Sequence, residues 1–127
     1  MASWFDLGAR GLTALGLFLG LAGPVVAVEL DAAAIRDRLV DQSILWWADG
    51  GFLHGGLELA ADGSAAITME NPSGADIGRW RLDGAALCTR WNAARSGDEK
   101  CYRIRQVAPH RFVTTGGNVF ELIAPGM

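Results

Sequence analysis

From Ile44 onward, short stretches of alternating apolar and polar residues follow one another, separated by Gly, Asp, Asn and Pro. Strict alternation places successive side chains on opposite faces and is typical of half-buried β-strands. Two turns carry the Asp-Gly pair of tight hairpins, at Asp62-Gly63 and Asp83-Gly84. The pattern predicts eight short strands: Ile44–Trp47, Gly56–Ala60, Ala65–Met69, Ile77–Leu82, Ala86–Trp91, Lys100–Val107, Arg111–Thr115 and Asn118–Ile123.

One helix is expected ahead of these strands. Residues 31–42 begin with Asp31, a good N-cap residue, and continue with apolar positions that share one helix face. The high content of glycine, 17 residues, favours turns over further long helices. The expected fold is therefore mainly β: a small antiparallel barrel of about eight short strands, preceded by one short N-terminal helix.

The N-terminal segment, residues 1–27, has the character of an export signal. Arg10 is the only Lys or Arg before Arg36, and the stretch from Gly11 to Ala27 carries no charge. An apolar run followed by small residues is typical of a secretory signal, here cleaved after Ala27. The alternative is a retained membrane anchor, because the uncharged stretch approaches the length of a spanning helix.

Either interpretation places the rest of the chain, residues 28–127, outside the reducing cytosol. It would be periplasmic or secreted, or it would face the periplasm from an anchor in the inner membrane. We expect one domain of about 100 residues, small enough for a single cross-link to matter to its stability. The formal net charge of -3 argues against a nucleic-acid partner. Residues 1–28 offer one route to membrane contact.

The two cysteines of the chain, Cys88 and Cys101, lie in neighbouring predicted strands. If the connecting loop is centred midway between them, they face each other directly, and Leu87 faces Tyr102. This register places both cysteines on the outer face and the other two residues on the core face. We predict a disulfide, because a redox pair would have a Cys-x-x-Cys spacing and a metal site would need more ligands.

Charge is unevenly divided in the exported part of the chain. Residues 28–76 hold two basic against nine acidic residues, whereas residues 77–127 hold eight basic against four acidic ones. Arg90, Arg103 and Arg105 occupy outward positions and form a candidate surface for an acidic partner or anionic head groups. The alternative is that these charges only keep the sheet soluble and pair within the domain.

Large aromatic residues are frequent in the predicted barrel. The interior of an eight-stranded barrel is either filled by side chains or wide enough for one small ligand. Short strands make a small barrel, which favours filling, but a hollow interior stays open as an alternative. The candidate residues of a ligand pocket are Trp46, Trp80, Trp91 and Tyr102.

Other aromatic residues are expected at the surface. Trp46 and Trp47 are adjacent, so one of them points out of the sheet if both lie in one strand. The glycine-rich segment Asp49–Gly56 would carry Phe52 and His54 at its tip. Together with Trp47, these two join the three arginines as candidate residues of a partner-binding surface. Alternatively, the segment is only a long connection.

No signature of an enzyme or of a cofactor site is found in the sequence. A Gly-x-Ser-x-Gly elbow, a His-Glu-x-x-His pair and a phosphate-binding glycine loop are all absent. The two histidines show no spacing typical of metal ligands. We therefore expect a non-enzymatic protein with no catalytic residues, no cofactor and no metal site.

The order of several motifs resembles that of small exported bacterial proteins of a domain-of-unknown-function family. The hallmark of that family is a Gly-x-Trp strand followed by a Cys-x-x-Trp and Cys-Tyr hairpin. The matching residues of this chain are Gly78, Trp80, Cys88, Trp91, Cys101 and Tyr102. The resemblance implies a small, disulfide-linked, barrel-like exported domain, and it brings no catalytic residues with it.

The sequence therefore predicts a non-enzymatic exported β-barrel protein that acts as a binding module in the bacterial cell envelope. Its partner would be an envelope protein or a membrane complex. One alternative is an accessory subunit of a membrane protein complex, anchored through residues 1–28. The other is a carrier of a small hydrophobic ligand, which would lie among the four inward aromatic residues.

Overall fold

The computed structural model of the protein describes residues 27–48, 50–70 and 73–123. The predicted export signal, apart from its last residue, lies outside these ranges. Within them the chain forms one α-helix, α1 (Ala32–Leu39), and ten β-strands. The strands are β1 (Val28–Glu29), β2 (Ile44–Trp47), β3 (His54–Leu59), β4 (Ser64–Met69), β5 (Gly74–Asp83), β6 (Ala86–Trp91), β7 (Lys100–Tyr102), β8 (Ile104–Ala108), β9 (Arg111–Thr114) and β10 (Val119–Leu122).

Helix α1 lies where the sequence pattern predicts it, although it is shorter than expected. The Asp31 side chain accepts a hydrogen bond of 2.9 Å from the backbone N–H of Ala34, which caps the first turn. Ile35 and Leu39 are fully buried, so one face of the helix belongs to the core. The helix ends at Leu39, because Val40 is extended and bridges to β3. In the described ranges, no helix is long and apolar enough to cross a membrane.

The ten strands of the described chain form one antiparallel sheet, in the order β1-β8-β9-β10-β2-β3-β4-β5-β6-β7. β7 and β8 are consecutive along the chain, and only Arg103 separates them. Nevertheless, β7 lies at one end of the sheet and β8 lies next to the other end. The sheet therefore curls, so that the short segment from β7 to β8 connects its two ends, and it forms a half-barrel.

The prediction of a mainly β, antiparallel fold is confirmed, but the sheet has ten strands in place of about eight and forms a half-barrel in place of a barrel. The predicted strand Lys100–Val107 is divided at Arg103, because its first part pairs with β6 and its second part with β9. The short strand Val28–Glu29 adds a further partner to β8. The division at Arg103 is a switch from one hairpin to the next, and the pairing of β1 with β8 joins segments more than 70 residues apart. Local alternation encodes neither.

Helix α1 closes one end of the half-barrel. Arg36 lies over the ring of Trp80, 5.4 Å from the ring centre, and Arg38 donates a hydrogen bond to the side chain of Gln106. The helix therefore lies across the ends of β3, β5 and β8. The buried apolar core between helix and sheet consists of Leu30, Ile35, Leu39, Ile44, Trp46, Leu57, Leu59, Ala65, Trp80, Leu87, Trp91, Tyr102, Ile104, Phe112 and Phe120.

Two tryptophans of the inner face lie directly opposite a glycine of the next strand. Trp46 faces Gly55, and Trp91 faces Gly78. A Cβ atom added at Gly55 or at Gly78 would lie 1.8 Å or 2.0 Å, respectively, from a backbone carbonyl oxygen. Only glycine therefore fits at these two positions, and the space beside each is left to an indole ring.

Candidate functional site

A cavity of about 320 Å³ opens at the end of the half-barrel away from α1. This volume is at the lower end of the range for small-molecule sites, about 300–1,000 Å³. It is roughly twice the volume of an engineered cavity that binds benzene. The lining residues are Trp46, Ala48, Leu53, Leu57, Ile67, Met69, Trp91, Ala94, Arg95, Lys100, Tyr102, Gly116, Asn118 and Phe120.

Three of the four predicted pocket residues line this cavity: Trp46, Trp91 and Tyr102. All three are buried. The ring of Tyr102 packs edge-on against Phe120, with 6.4 Å between the ring centres. Aromatic rings offer a large apolar contact area, so this wall can bury the body of an apolar ligand.

Trp80, the fourth predicted pocket residue, lies outside the cavity lining. Its indole N–H donates a hydrogen bond of 2.7 Å to the backbone oxygen of Ala60, and Arg36 of α1 covers its ring. Trp80 therefore fills the interior beneath the helix. In the described residues, side chains fill the interior at the helix end, and the cavity lies at the other end.

Two basic side chains, Arg95 and Lys100, belong to the cavity lining. The guanidinium of Arg95 donates a hydrogen bond of 2.8 Å to Oγ1 of Thr89, and Lys100 is the cross-strand neighbour of Thr89. Thr89 is only 1% exposed, so the arginine reaches from its loop toward the interior of the sheet. Arg95 therefore binds this buried hydroxyl group, and Lys100 lies beside it in the register of the sheet. Both basic residues are exposed at the edge of a mostly apolar cavity.

The phenol of Tyr102 is a neutral polar group beside these cations. Burial raises the pKa of Tyr102 above its ordinary value of about 10. A hydrogen bond with Thr89 and the charge of Arg95 act in the opposite direction. The phenol therefore keeps its proton at neutral pH and can donate or accept a hydrogen bond.

The loop between β6 and β7, which carries Arg95, has an uncommon backbone conformation. Arg95 and Ser96 have φ angles of 54° and 55°, in the left-handed region. Such residues cost about 1–3 kcal/mol each and persist where the surroundings hold them, often at ligand sites. The Asp76 carboxylate accepts hydrogen bonds from the backbone N–H groups of Ala94 and Ala93, at 2.8 and 2.9 Å. These bonds lower the pKa of Asp76 and hold the start of the loop.

Cys88 and Cys101 form the predicted disulfide and face each other across β6 and β7. The adjacent pairs of the two strands also match the predicted register, which is therefore confirmed. The disulfide lies on the outer face, but Cys88 is fully buried there. Arg81 faces Cys88 across β5 and β6, and it forms an ion pair of 2.8 Å with Glu99 beside the disulfide.

The same place holds the group of potential metal ligands found in the described residues. The donor atoms of Cys88, Glu99 and Cys101 lie within 4.8 Å of one another. Both sulfur atoms belong to the disulfide, so the group offers only a carboxylate. That carboxylate is bound to Arg81, which lowers the pKa of Glu99. The arrangement does not fit a metal site.

The three predicted partner-binding arginines are all exposed. Arg103 donates a hydrogen bond of 2.7 Å to the carboxylate of Glu29, so a basic residue of the second part of the chain pairs with an acidic residue of the first. Arg105 lies opposite Glu29 in register, and Arg90 lies opposite Arg79. Pairing within the domain therefore accounts for Arg103, and such exposed pairs contribute little to stability.

Trp47, Phe52 and His54 lie on a different part of the surface. Trp47 faces His54 across β2 and β3, and the guanidinium of Arg111 is 5.6 Å from the centre of the Trp47 ring. Phe52, in the loop between these strands, is 75% exposed. β9 and β10 separate β2 from β8, which carries Arg105. The predicted partner surface is thus divided into an arginine part and an aromatic part.

Sequence reasoning does not assign Arg95 or Lys100 to the site. The register does contain a signal for Lys100, because the alternation that places both cysteines outward also places Thr89 and Lys100 inward. Arg95 gives no comparable signal, because a loop residue follows no fixed period.

Comparison with known proteins gives no match: neither a protein-family model, nor a curated protein, nor a solved structure matches the chain. The resemblance to exported proteins of a domain-of-unknown-function family therefore stays a prediction.

Proposed function

We propose that this protein is an exported binding protein that holds a small, mostly apolar ligand in the aromatic cavity. The observation that carries the proposal is the cavity of about 320 Å³, enclosed mainly by apolar side chains. An unfilled apolar space forfeits the dispersion contacts of a packed core. A ligand that fills it gains those contacts, so binding stabilises both the ligand and the domain.

The rest of the half-barrel supports a site that opens at the end away from α1. Helix α1 covers one end, and Trp80 fills the interior beneath it. The entrance lies between the loops that join β2 to β3, β6 to β7 and β9 to β10, each of which contributes a lining residue. A ligand would therefore meet these loops where it enters the cavity.

Export is part of the proposal, and the disulfide supports it, because disulfides persist outside the reducing cytosol. N-terminal sequencing of the protein from cells tests it. A start at Val28 is expected for a cleaved export signal. A start at Met1 or Ala2 in a membrane fraction would instead favour the anchored accessory subunit.

Intrinsic tryptophan fluorescence tests ligand binding, because Trp46 and Trp91 line the cavity. We expect a saturable change in emission with some members of a panel of small hydrophobic compounds. Trp46→Phe should reduce that change, whereas Trp47→Phe, on the opposite face of β2, should leave it in place. The absence of any saturable response in correctly folded protein would contradict the proposal.

A second candidate is the interaction module predicted from the sequence, with an envelope protein or membrane complex as its partner. Exposed apolar residues near Trp47 favour it, since Phe52 is 75% and Leu45 is 46% exposed. The test is cross-linking in native envelopes. A specific partner should be lost with Phe52→Ser and Leu45→Ser but kept with Arg90→Gln, and a cross-linking pattern shared by all variants would exclude this surface.

A further inference from the structure

The mouth of the aromatic cavity carries positive charge. Arg95 and Lys100 both line it, and no acidic residue of the described chain does. Within the described ranges, neither cation forms an ion pair. Glu99, which is adjacent to Lys100 in sequence, binds Arg81 on the outer face instead.

The inner face does hold one carboxylate near this loop, that of Asp76, but it is already engaged. Its two oxygen atoms accept hydrogen bonds from the backbone N–H groups of Ala93, Ala94 and Ile77. Arg95 and Lys100 are both exposed where they line the cavity. Like charges there repel each other, and the repulsion grows when a bound ligand displaces the water around them. An anion between them would remove the repulsion and accept charge-assisted hydrogen bonds from both.

The arginine is held in place before any ligand arrives. Its left-handed backbone conformation fixes the direction from which the side chain leaves the loop, and the hydrogen bond to Thr89 fixes the guanidinium. A side chain that is already ordered loses little conformational entropy when it binds. The planar fork of N–H donors of an arginine also matches the two oxygen atoms of a carboxylate.

We infer that the ligand of this cavity is a small monocarboxylate with an apolar body. The body would contact Trp46, Trp91 and Phe120, and the carboxylate would lie between Arg95 and Lys100. This inference rests on the proposed function, because it names the chemical class of the ligand for the same cavity. The volume of about 320 Å³ limits the body to a medium-length chain or a small ring system.

Three probes with the same apolar chain and different head groups test the inference: octanoate, octanamide and octylamine. Binding is measured by isothermal titration calorimetry at neutral pH on the mature protein. We expect octanoate to bind more tightly than octanamide by about tenfold or more, because charge-assisted hydrogen bonds replace neutral ones. Octylamine, which is cationic, should bind most weakly.

Substitutions locate the head group. Arg95→Gln should weaken octanoate binding by about tenfold or more and leave octanamide binding nearly unchanged. Lys100→Gln should have a smaller effect in the same direction, and it provides a second variant if the first is poorly folded. Arg90→Gln, which removes an outward arginine of the same hairpin, is the matched control and should change neither affinity.

The outcomes separate this inference from the proposed function. If octanoate and octanamide bind equally, or if Arg95→Gln and Lys100→Gln weaken both to the same degree, the carboxylate assignment is wrong and the hydrophobic carrier stands. If neutral compounds bind and octanoate does not, the carboxylate assignment is again wrong. If no probe and no member of the fluorescence panel binds, both proposals fail.

Discussion

Removal of the disulfide between β6 and β7 should destabilise the domain by about 3 kcal/mol. The two cysteines are 13 residues apart, and closing a loop of this length costs about 3 kcal/mol of chain entropy in the unfolded state at 25 °C. In a domain of about 100 residues, each kcal/mol corresponds to roughly 4–8 °C in melting temperature. We therefore expect the melting temperature to fall by about 12–24 °C.

The double variant Cys88→Ala/Cys101→Ala is the suitable change, because Cys88 is fully buried and an alanine leaves no unpaired polar atom there. Circular dichroism follows thermal unfolding with and without reductant. Reductant should bring the wild-type protein close to the variant and should leave the variant unchanged. The control Arg81→Gln removes the neighbouring exposed ion pair and should change the melting temperature little. Equal melting temperatures of the wild-type protein with and without reductant would show that the disulfide does not stabilise the domain.

Two further predictions concern the sheet around the cavity. Gly78→Ala brings a Cβ atom to 2.0 Å from the backbone oxygen of Arg90, so urea unfolding should show a free energy of unfolding lower by about 1–3 kcal/mol. Gly74→Ala is the control and should cost much less, because its Cβ meets only a methyl group at 3.7 Å. Equal losses of stability in the two variants would contradict the close approach at Gly78. Asp76 has its pKa lowered mainly by hydrogen bonds from backbone N–H groups, that of Ala94 first. The stability that the ionised Asp76 contributes is therefore present above a pH of about 4 and is lost as the pH falls through the lowered pKa. Acid should reduce the melting temperature more steeply in the wild type than in Asp76→Asn. Parallel plots of melting temperature against pH for the two proteins would contradict this.

The cysteine hairpin shows which part of the fold can be predicted from local sequence. Side chains in a strand alternate with a period of two, and a symmetric loop leaves one register for the hairpin. Cys88 and Cys101 therefore had to face each other, and they do. The first turn of α1 is predictable for a similar reason, because the Asp31 cap and the buried Ile35 are only four residues apart.

The curvature of the sheet could not be predicted in this way. It depends on a change of partner at Arg103, where β7 leaves β6 and β8 joins β9. It depends also on the pairing of Val28 and Glu29 with residues more than 70 positions further along the chain. Such contacts are decided by sheet twist and by the packing of the whole core, not by the alternation of any one segment.

The aromatic wall of the candidate site could be predicted from the sequence, and the register also contains a signal for Lys100, but nothing in the sequence indicates Arg95. Trp80 and Trp91 both occupy inward positions, and nothing local distinguishes them. They differ because α1 covers the end of the half-barrel that holds Trp80, which leaves Trp91 at the open end. Arg95 enters the site through a loop whose conformation depends on the Asp76 carboxylate of another strand.

In the pairs formed by Trp46 with Gly55 and by Trp91 with Gly78, the two members differ in which substitutions they tolerate. Neither glycine can acquire a side chain without moving a neighbouring backbone, whereas either tryptophan can be replaced by a smaller residue. In descendants of this chain the two glycines should therefore stay constant. Trp46 and Trp91, which line the cavity, can vary, and a smaller residue at either position would enlarge it.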